Sequence, residues 1–148
     1  MKTRQEITDI ALLGILKQGC YCMAYLSGHC LYRGPGGLKC GIGMLIPDEK
    51  YTPELEDTTP THPTDEPQFS KHPNIQLLYH VLSSVGVSLE TYADQLFLRQ
   101  LQDVHDNITA SESFVERAQF FYRMNRLDLT AFEHCLTQHP WKGEPAGT

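Results

Sequence analysis

Residues 34–37 read Gly34-Pro35-Gly36-Gly37, set between Cys30-Leu31-Tyr32-Arg33 and Leu38-Lys39-Cys40-Gly41-Ile42-Gly43. Proline fixes one φ and removes one backbone donor, while the glycines are free to take φ > 0, so the chain has to turn sharply here. A tight turn between two short segments predicts a β-hairpin in which residues 30–32 pair with residues 38–40. Such a hairpin would bring the sulfurs of Cys30 and Cys40 near each other and project Arg33 and Lys39 from one tip. The unit constrains a local shape and names no reaction.

The remainder reads as helix. Thr3 and Glu6 form a capping box ahead of Ile7, Ile10, Ala11, Leu13 and Leu16, and Gly19 supplies the stop, which predicts a helix over residues 4–18. Residues 51–73 carry Pro53, Pro60, Pro63, Pro67 and Pro73 among Thr, Asp and Glu, and are expected to be a loop. Ile75, Leu78, Tyr79 and Leu82 then form a helical stripe closed by Gly86. Ser88 is read as the start of the next helix, with Leu89, Tyr92, Ala93, Leu96, Phe97, Gln100 and Val104 on the helical period and Asp106-Asn107 as its stop. Thr109-x-x-Glu112 and Thr130-x-x-Glu133 are read as capping boxes of two further helices, the first burying Val115, Ala118, Phe121 and Tyr122, the second Phe132, Cys135 and Leu136. The expected class is therefore α+β: a mainly helical domain of about five helices with one small antiparallel β-hairpin in its N-terminal third. One domain is expected over residues 1–138, comprising the helix at 4–18, a cysteine-rich hairpin unit at 20–46, the Pro-rich loop at 51–73 and a helical half at 74–138. Residues 139–148 lack a period and are expected to form a flexible tail.

Composition removes several classes of function. A chain of 148 residues suits one core. Its apolar runs stop short of a membrane span, and its first residues lack a signal-peptide apolar region, so no membrane association and a cytoplasmic location are expected. Five cysteines are an odd number, too sparse for a disulfide scaffold, and are expected to stay reduced. A net charge of −6 disfavours a nucleic-acid binder, which relies on many Lys and Arg contacts to phosphate. Asp48, Glu49, Glu54, Glu56, Asp57, Asp65 and Glu66 are read as a solvated acidic stretch rather than a surface imitating nucleic acid.

Catalytic and metal-binding patterns are weak. Cys20, Cys22, Cys30 and Cys40, with His29 adjacent, have the ligand types of a tetrahedral zinc site, but Cys20-x-Cys22 lacks the usual knuckle spacing, and no cofactor is assigned. A thiolate at Cys30 or Cys40 beside Arg33 and Lys39 would need a base. His105-Asp106 are helix neighbours about 100° apart and do not form a dyad, so His105 is read as a residue near a helix C-terminus. The glycine-rich loop matches neither nucleotide-binding spacing, and a turn explains it better.

Cys-x-Tyr-Arg followed by Gly-x-Lys-Cys-x-x-Gly-x-Leu-Ile-Pro-Asp, spanning residues 30–48, resembles a signature of small uncharacterised proteins encoded by bacteria and their phages. The resemblance implies a bacterial host cell as the setting and carries no activity. By elimination, the chain reads as a non-catalytic binding or regulatory module acting on a host or phage protein, with Tyr32, Arg33, Gly36, Gly37, Lys39 and His105 as candidate binding residues. The competing expectation is a small-molecule or metal-binding domain, with enzymatic activity open to it, built around Cys30, Tyr32, Arg33, Cys40 and His105.

Overall fold

The structure, a computed structural model, describes residues 1–20, 25–26, 29–57, 73–106 and 113–143. Six α-helices occupy these residues: α1 (Arg4–Gln18), α2 (Gly41–Leu45), α3 (Pro73–Ser84), α4 (Tyr92–Asp106), α5 (Phe114–Met124) and α6 (Thr130–Gln138). The Thr3 hydroxyl accepts from the Glu6 N–H and the Glu6 carboxylate accepts from the Thr3 N–H, each at 3.1 Å, and Gly19 ends α1 at φ 84°. At the end of α3, Gly86 takes φ 84° and its carbonyl accepts from the Lys2 N–H at 2.8 Å. The chain's beginning is thereby fastened to α3, and the Lys2 ammonium also donates to the Val85 carbonyl, placing a cation where the helix dipole favours one.

The α+β expectation is corrected: the fold is helical, and the hairpin around Gly34 to Gly37 does not form. The tight turn itself is present. The Gly34 N–H donates to the Leu38 carbonyl at 2.7 Å, residues Pro35–Gly37 make a 3-10 turn, and Gly36 and Gly37 take φ of 69° and 78°. What is missing is the ladder, because side chains take its backbone groups. The N–H groups of Tyr32 and Arg33 donate to the two oxygens of Glu56 at 2.9 and 3.1 Å. Gln18 accepts from the Lys39 N–H at 2.9 Å and donates to the Lys39 carbonyl at 3.1 Å. Among the described residues, extended pairing is limited to Tyr25–Leu26 (β1) against His29–Cys30 (β2), two residues a side, and a single bridge between Cys20 and Gly143, which build no sheet layer.

Cys40 then turns the chain into α2 as its N-cap, its sulfur accepting from the Gly43 N–H at 3.4 Å. The Gln102 side chain of α4 accepts from the Ile42 N–H at 3.1 Å, so α2 is held between α1 and α4. α6 packs on α1, α5 on α4, and α3 on the 3-10 turn Pro53–Asp57. The buried side chains form one cluster running from Leu12, Ile15 and Leu16 through Ile42 and Leu55 to Phe114, Tyr122 and Phe132. No helix among the described residues is long and apolar enough to cross a membrane.

The start signals of the later helices fall elsewhere than predicted. α4 begins at Tyr92, with the Thr91 hydroxyl accepting from the Asp94 N–H, while Ser88 instead accepts from the Glu90 N–H in a local turn. α5 is capped by Ser113, whose hydroxyl accepts from the Glu116 N–H at 3.1 Å. Thr109 and Glu112 lie outside the described residues. Of the predicted flexible tail, Trp141 and Gly143 contact the rest: Trp141 lies 4.6 Å from Phe114 between ring centroids, and Gly143 pairs with Cys20.

Candidate functional site

The residues singled out in the sequence divide between a buried support and an exposed turn. Arg33 belongs to the support. Its guanidinium donates to the carbonyls of Tyr32, Gly43 and Ile46 and to Asp48 at 3.0 Å, and lies 5.1 Å from the centre of the Tyr51 ring. With 13 % of its side chain exposed, it binds the end of α2 to the turn before it and does not project from a tip. Lys39 pairs with the same Asp48 at 3.2 Å. The two cations, Lys39 foremost, hold the Asp48 carboxyl below its ordinary range.

Tyr32 is buried, and the approach of α2 to its carbonyl is what Gly43 permits. The Glu56 carboxylate collects the N–H groups of Tyr32 and Arg33 together with the Tyr51 hydroxyl. Burial, reinforced by this carboxylate, raises the Tyr51 phenol to about 12. Two acidic residues of the stretch read as solvated, Asp48 and Glu56, therefore organise the turn. Gly36 and Gly37 are exposed, with open space where a side chain would stand. His105 lies in the last turn of α4, and its side chain is outside the described residues.

The cysteines are separated in role. Cys40 is fully buried and engaged as a helix cap, away from any accessible nucleophile position. Arg33 and Lys39 face Asp48. Burial pushes the Cys135 thiol up, leaving it protonated in the core. Cys20 is half-buried beyond α1, while Cys22 and the Cys30 side chain lie outside the described residues. Among the described residues no group of three or more His, Cys, Asp or Glu side chains is placed to hold a metal ion.

A cleft lies elsewhere, between α4 and α5. These helices run antiparallel: the Arg117 guanidinium donates to the Asp103 carbonyl at 2.7 Å near their connection, and the rings of Phe97 and Phe121 meet at 5.5 Å further along. Between them opens a cleft of about 620 Å³ lined by Gln100, Val104, Phe120, Phe121, Met124 and, at the end nearest the connection, Asp103, Glu116 and Arg117. Phe120 and Met124, one turn apart on α5, are 63 % and 65 % exposed, while Leu96 and Tyr92 are exposed on α4 outside the lining. A cleft whose largest side chains stand this far into solvent is a groove and not an enclosing pocket, because small-molecule sites bury most of their ligand.

Of the exposed apolar lining, Phe120 and Met124 escape the sequence reading. Its helical stripe on α5 took Val115, Ala118, Phe121 and Tyr122 inward, and of these Ala118, Phe121 and Tyr122 are buried. The available signal was the second apolar pair on the same helix, Phe120 and Met124 at i and i+4, which widens the apolar arc beyond what one core face needs. No protein-family model, no curated protein and no solved structure matches this chain.

Proposed function

We propose that this chain is a non-catalytic binding module, an accessory protein of a phage or mobile element that engages a macromolecule of its bacterial host in the cytoplasm. The observation that carries the reading is the apolar groove between α4 and α5, where Phe120 and Met124 stand exposed and line the cleft together with Val104 and Phe121. Exposed apolar side chains grouped in this way are costly in water, and aromatic and methionine side chains are favoured at protein contacts because they bury much area and adapt in shape. The signature at residues 30–48 supports the phage or bacterial setting. Within it, the Arg33, Asp48 and Glu56 contacts make a stable support for α2, which packs on α4.

The test compares the full chain with a Phe120→Asp/Met124→Asp double variant, each immobilised and exposed to bacterial cytoplasm. Both positions are largely exposed, so circular dichroism of the variant should match the parent. The expected result is a stoichiometric macromolecular partner that the parent retains and the variant loses. Equal retention by both would remove the groove from the reading, and absence of any retained partner would remove the reading itself.

A further inference from the structure

Resting on that reading, we propose that the α4–α5 groove receives an amphipathic helix of a partner protein, with bulky apolar side chains on one face and Lys or Arg at the end lying over Asp103 and Glu116. Three observations select this occupant. The groove is open and runs between two antiparallel helices, with Gln100 and Val104 on the α4 wall, and its exposed apolar residues on the α5 wall, Phe120 and Met124, stand at helical spacing. A helix laid along such a groove presents side chains at i, i+4 and i+7 to successive positions of the floor.

Charge supplies the second. The lining carries two carboxylates, Asp103 and Glu116, against one guanidinium, that of Arg117, which donates to the Asp103 carbonyl at 2.7 Å. Asp103 stands toward the C-terminal end of α4, beside the N-terminal turn of α5, so the two helix dipoles oppose each other here and the side-chain charges set the sign. Glu116 faces it from the first turn of α5 and is exposed. A cation on the occupant is accommodated at this end, and an anion is repelled. The third is the chain as a whole: a net charge of −6 steers cationic partners inward and opposes a second copy of itself, which would bring another −6 and the same two carboxylates to the contact.

The experiment measures fluorescence anisotropy of a labelled Leu/Lys amphipathic peptide of about 18 residues, long enough to form several helical turns on binding, against the full chain. A control peptide carries Glu in place of every Lys. The Lys peptide should bind, with affinity falling at higher salt, and the Glu peptide should bind at least roughly tenfold more weakly. Phe120→Asp/Met124→Asp should weaken Lys-peptide binding about tenfold or more, because it removes the apolar anchors. Glu116→Lys should weaken it about three- to tenfold, whereas Glu54→Lys, an exposed charge reversal outside the groove, should change it less than about twofold.

Binding that ignores the double variant, equal binding of both peptides, or no binding of the Lys peptide would each overturn the proposal. Sedimentation showing a dimer that Phe120→Asp/Met124→Asp dissolves would overturn it in favour of a second copy. Failure of the peptide beside a groove-dependent partner from the host would end the basic-helix proposal while leaving the binding module standing. Failure in both experiments would end both.

Discussion

At Gly43 the fold leaves no room for a side chain: a Cβ there would come 2.3 Å from the Tyr32 carbonyl oxygen. That oxygen belongs to backbone held by Glu56 and by the Arg33 guanidinium, so it has little freedom to retreat. Gly36 is the opposite case, with open space around it and φ 69°, where alanine meets only the conformational cost of the left-handed region. Gly43→Ala is expected to destabilise the protein by about 3 kcal/mol and Gly36→Ala by about 1 kcal/mol, read as urea midpoints at constant m. Equal midpoints for the two variants would mean that α2 does not close on Tyr32. Tyr51 offers a pH test in the same place. Its phenol is raised from 10.0 to about 12 in the fold, first by burial and then by Glu56, so the neutral form is favoured there. The associated stabilisation is complete below pH 10 and is lost as the pH climbs through about 12. Tyr51→Phe should lower stability by about 1 kcal/mol at neutral pH through the lost hydrogen bond and flatten the decline above pH 10, measured by denaturation across that range. An unaltered alkaline decline would assign it to other tyrosines.

Among the elements, those whose signals are local were legible. α1 carries its own capping box and its own glycine stop, and both take the predicted roles. Gly86 likewise ends α3 in the expected conformation. The cysteine-rich unit was misread because its backbone is satisfied from far away. Glu56 reaches Tyr32 and Arg33 across 24 and 23 residues, and Gln102 reaches Ile42 across 60, distances at which no sequence window shows the pairing. A helix at Gly41–Leu45 was also unforeseen, because it contains two glycines and its cap is a cysteine, a residue outside the usual capping set. The start of α6 shows how a correct signal can be displaced. Thr130 has the sequence context of a cap, yet it is the first helical residue, and its N–H and hydroxyl both donate to Asp128 at 2.9 and 2.7 Å. These bonds hold the Asp128 carboxyl below its ordinary range. Asp128→Ala should therefore lower the thermal midpoint more than Thr130→Ala, which leaves the Thr130 N–H bond in place. The reverse order would restore the local capping box. For α5, Ser113→Ala should cost about 1 kcal/mol, the usual loss when a helix N-cap is removed.

A run of aromatic contacts starts at Trp141, in the segment expected to be a flexible tail, and reaches into the core. Trp141, the sole tryptophan, sits 4.6 Å from Phe114, which lies 6.4 Å from Phe132, which lies 5.5 Å from Tyr122. The Tyr122 hydroxyl donates to Asp9 of α1 at 2.6 Å, and Gln5, which also donates to Asp9, exchanges hydrogen bonds with the backbone of Asp128 before α6. Trp141, α5, α6 and α1 are thus linked through one continuous path, and burial together with Asp9 keeps the Tyr122 phenol neutral. If the path is continuous in energy as in space, the half-buried Trp141 gains no further exposure until the core opens. Its emission should shift to the red at the same urea concentration at which helical circular dichroism is lost, the sign of a two-state transition. Trp141→Phe keeps a ring against Phe114 and should change the midpoint little. Trp141→Ala removes it from a half-buried site and should cost about 2 kcal/mol, below the range for fully buried aromatics. A red shift that precedes the loss of helix, with Trp141→Ala leaving the circular dichroism midpoint unmoved, would show that the C-terminal segment opens by itself and contributes nothing to holding α1, α5 and α6 together.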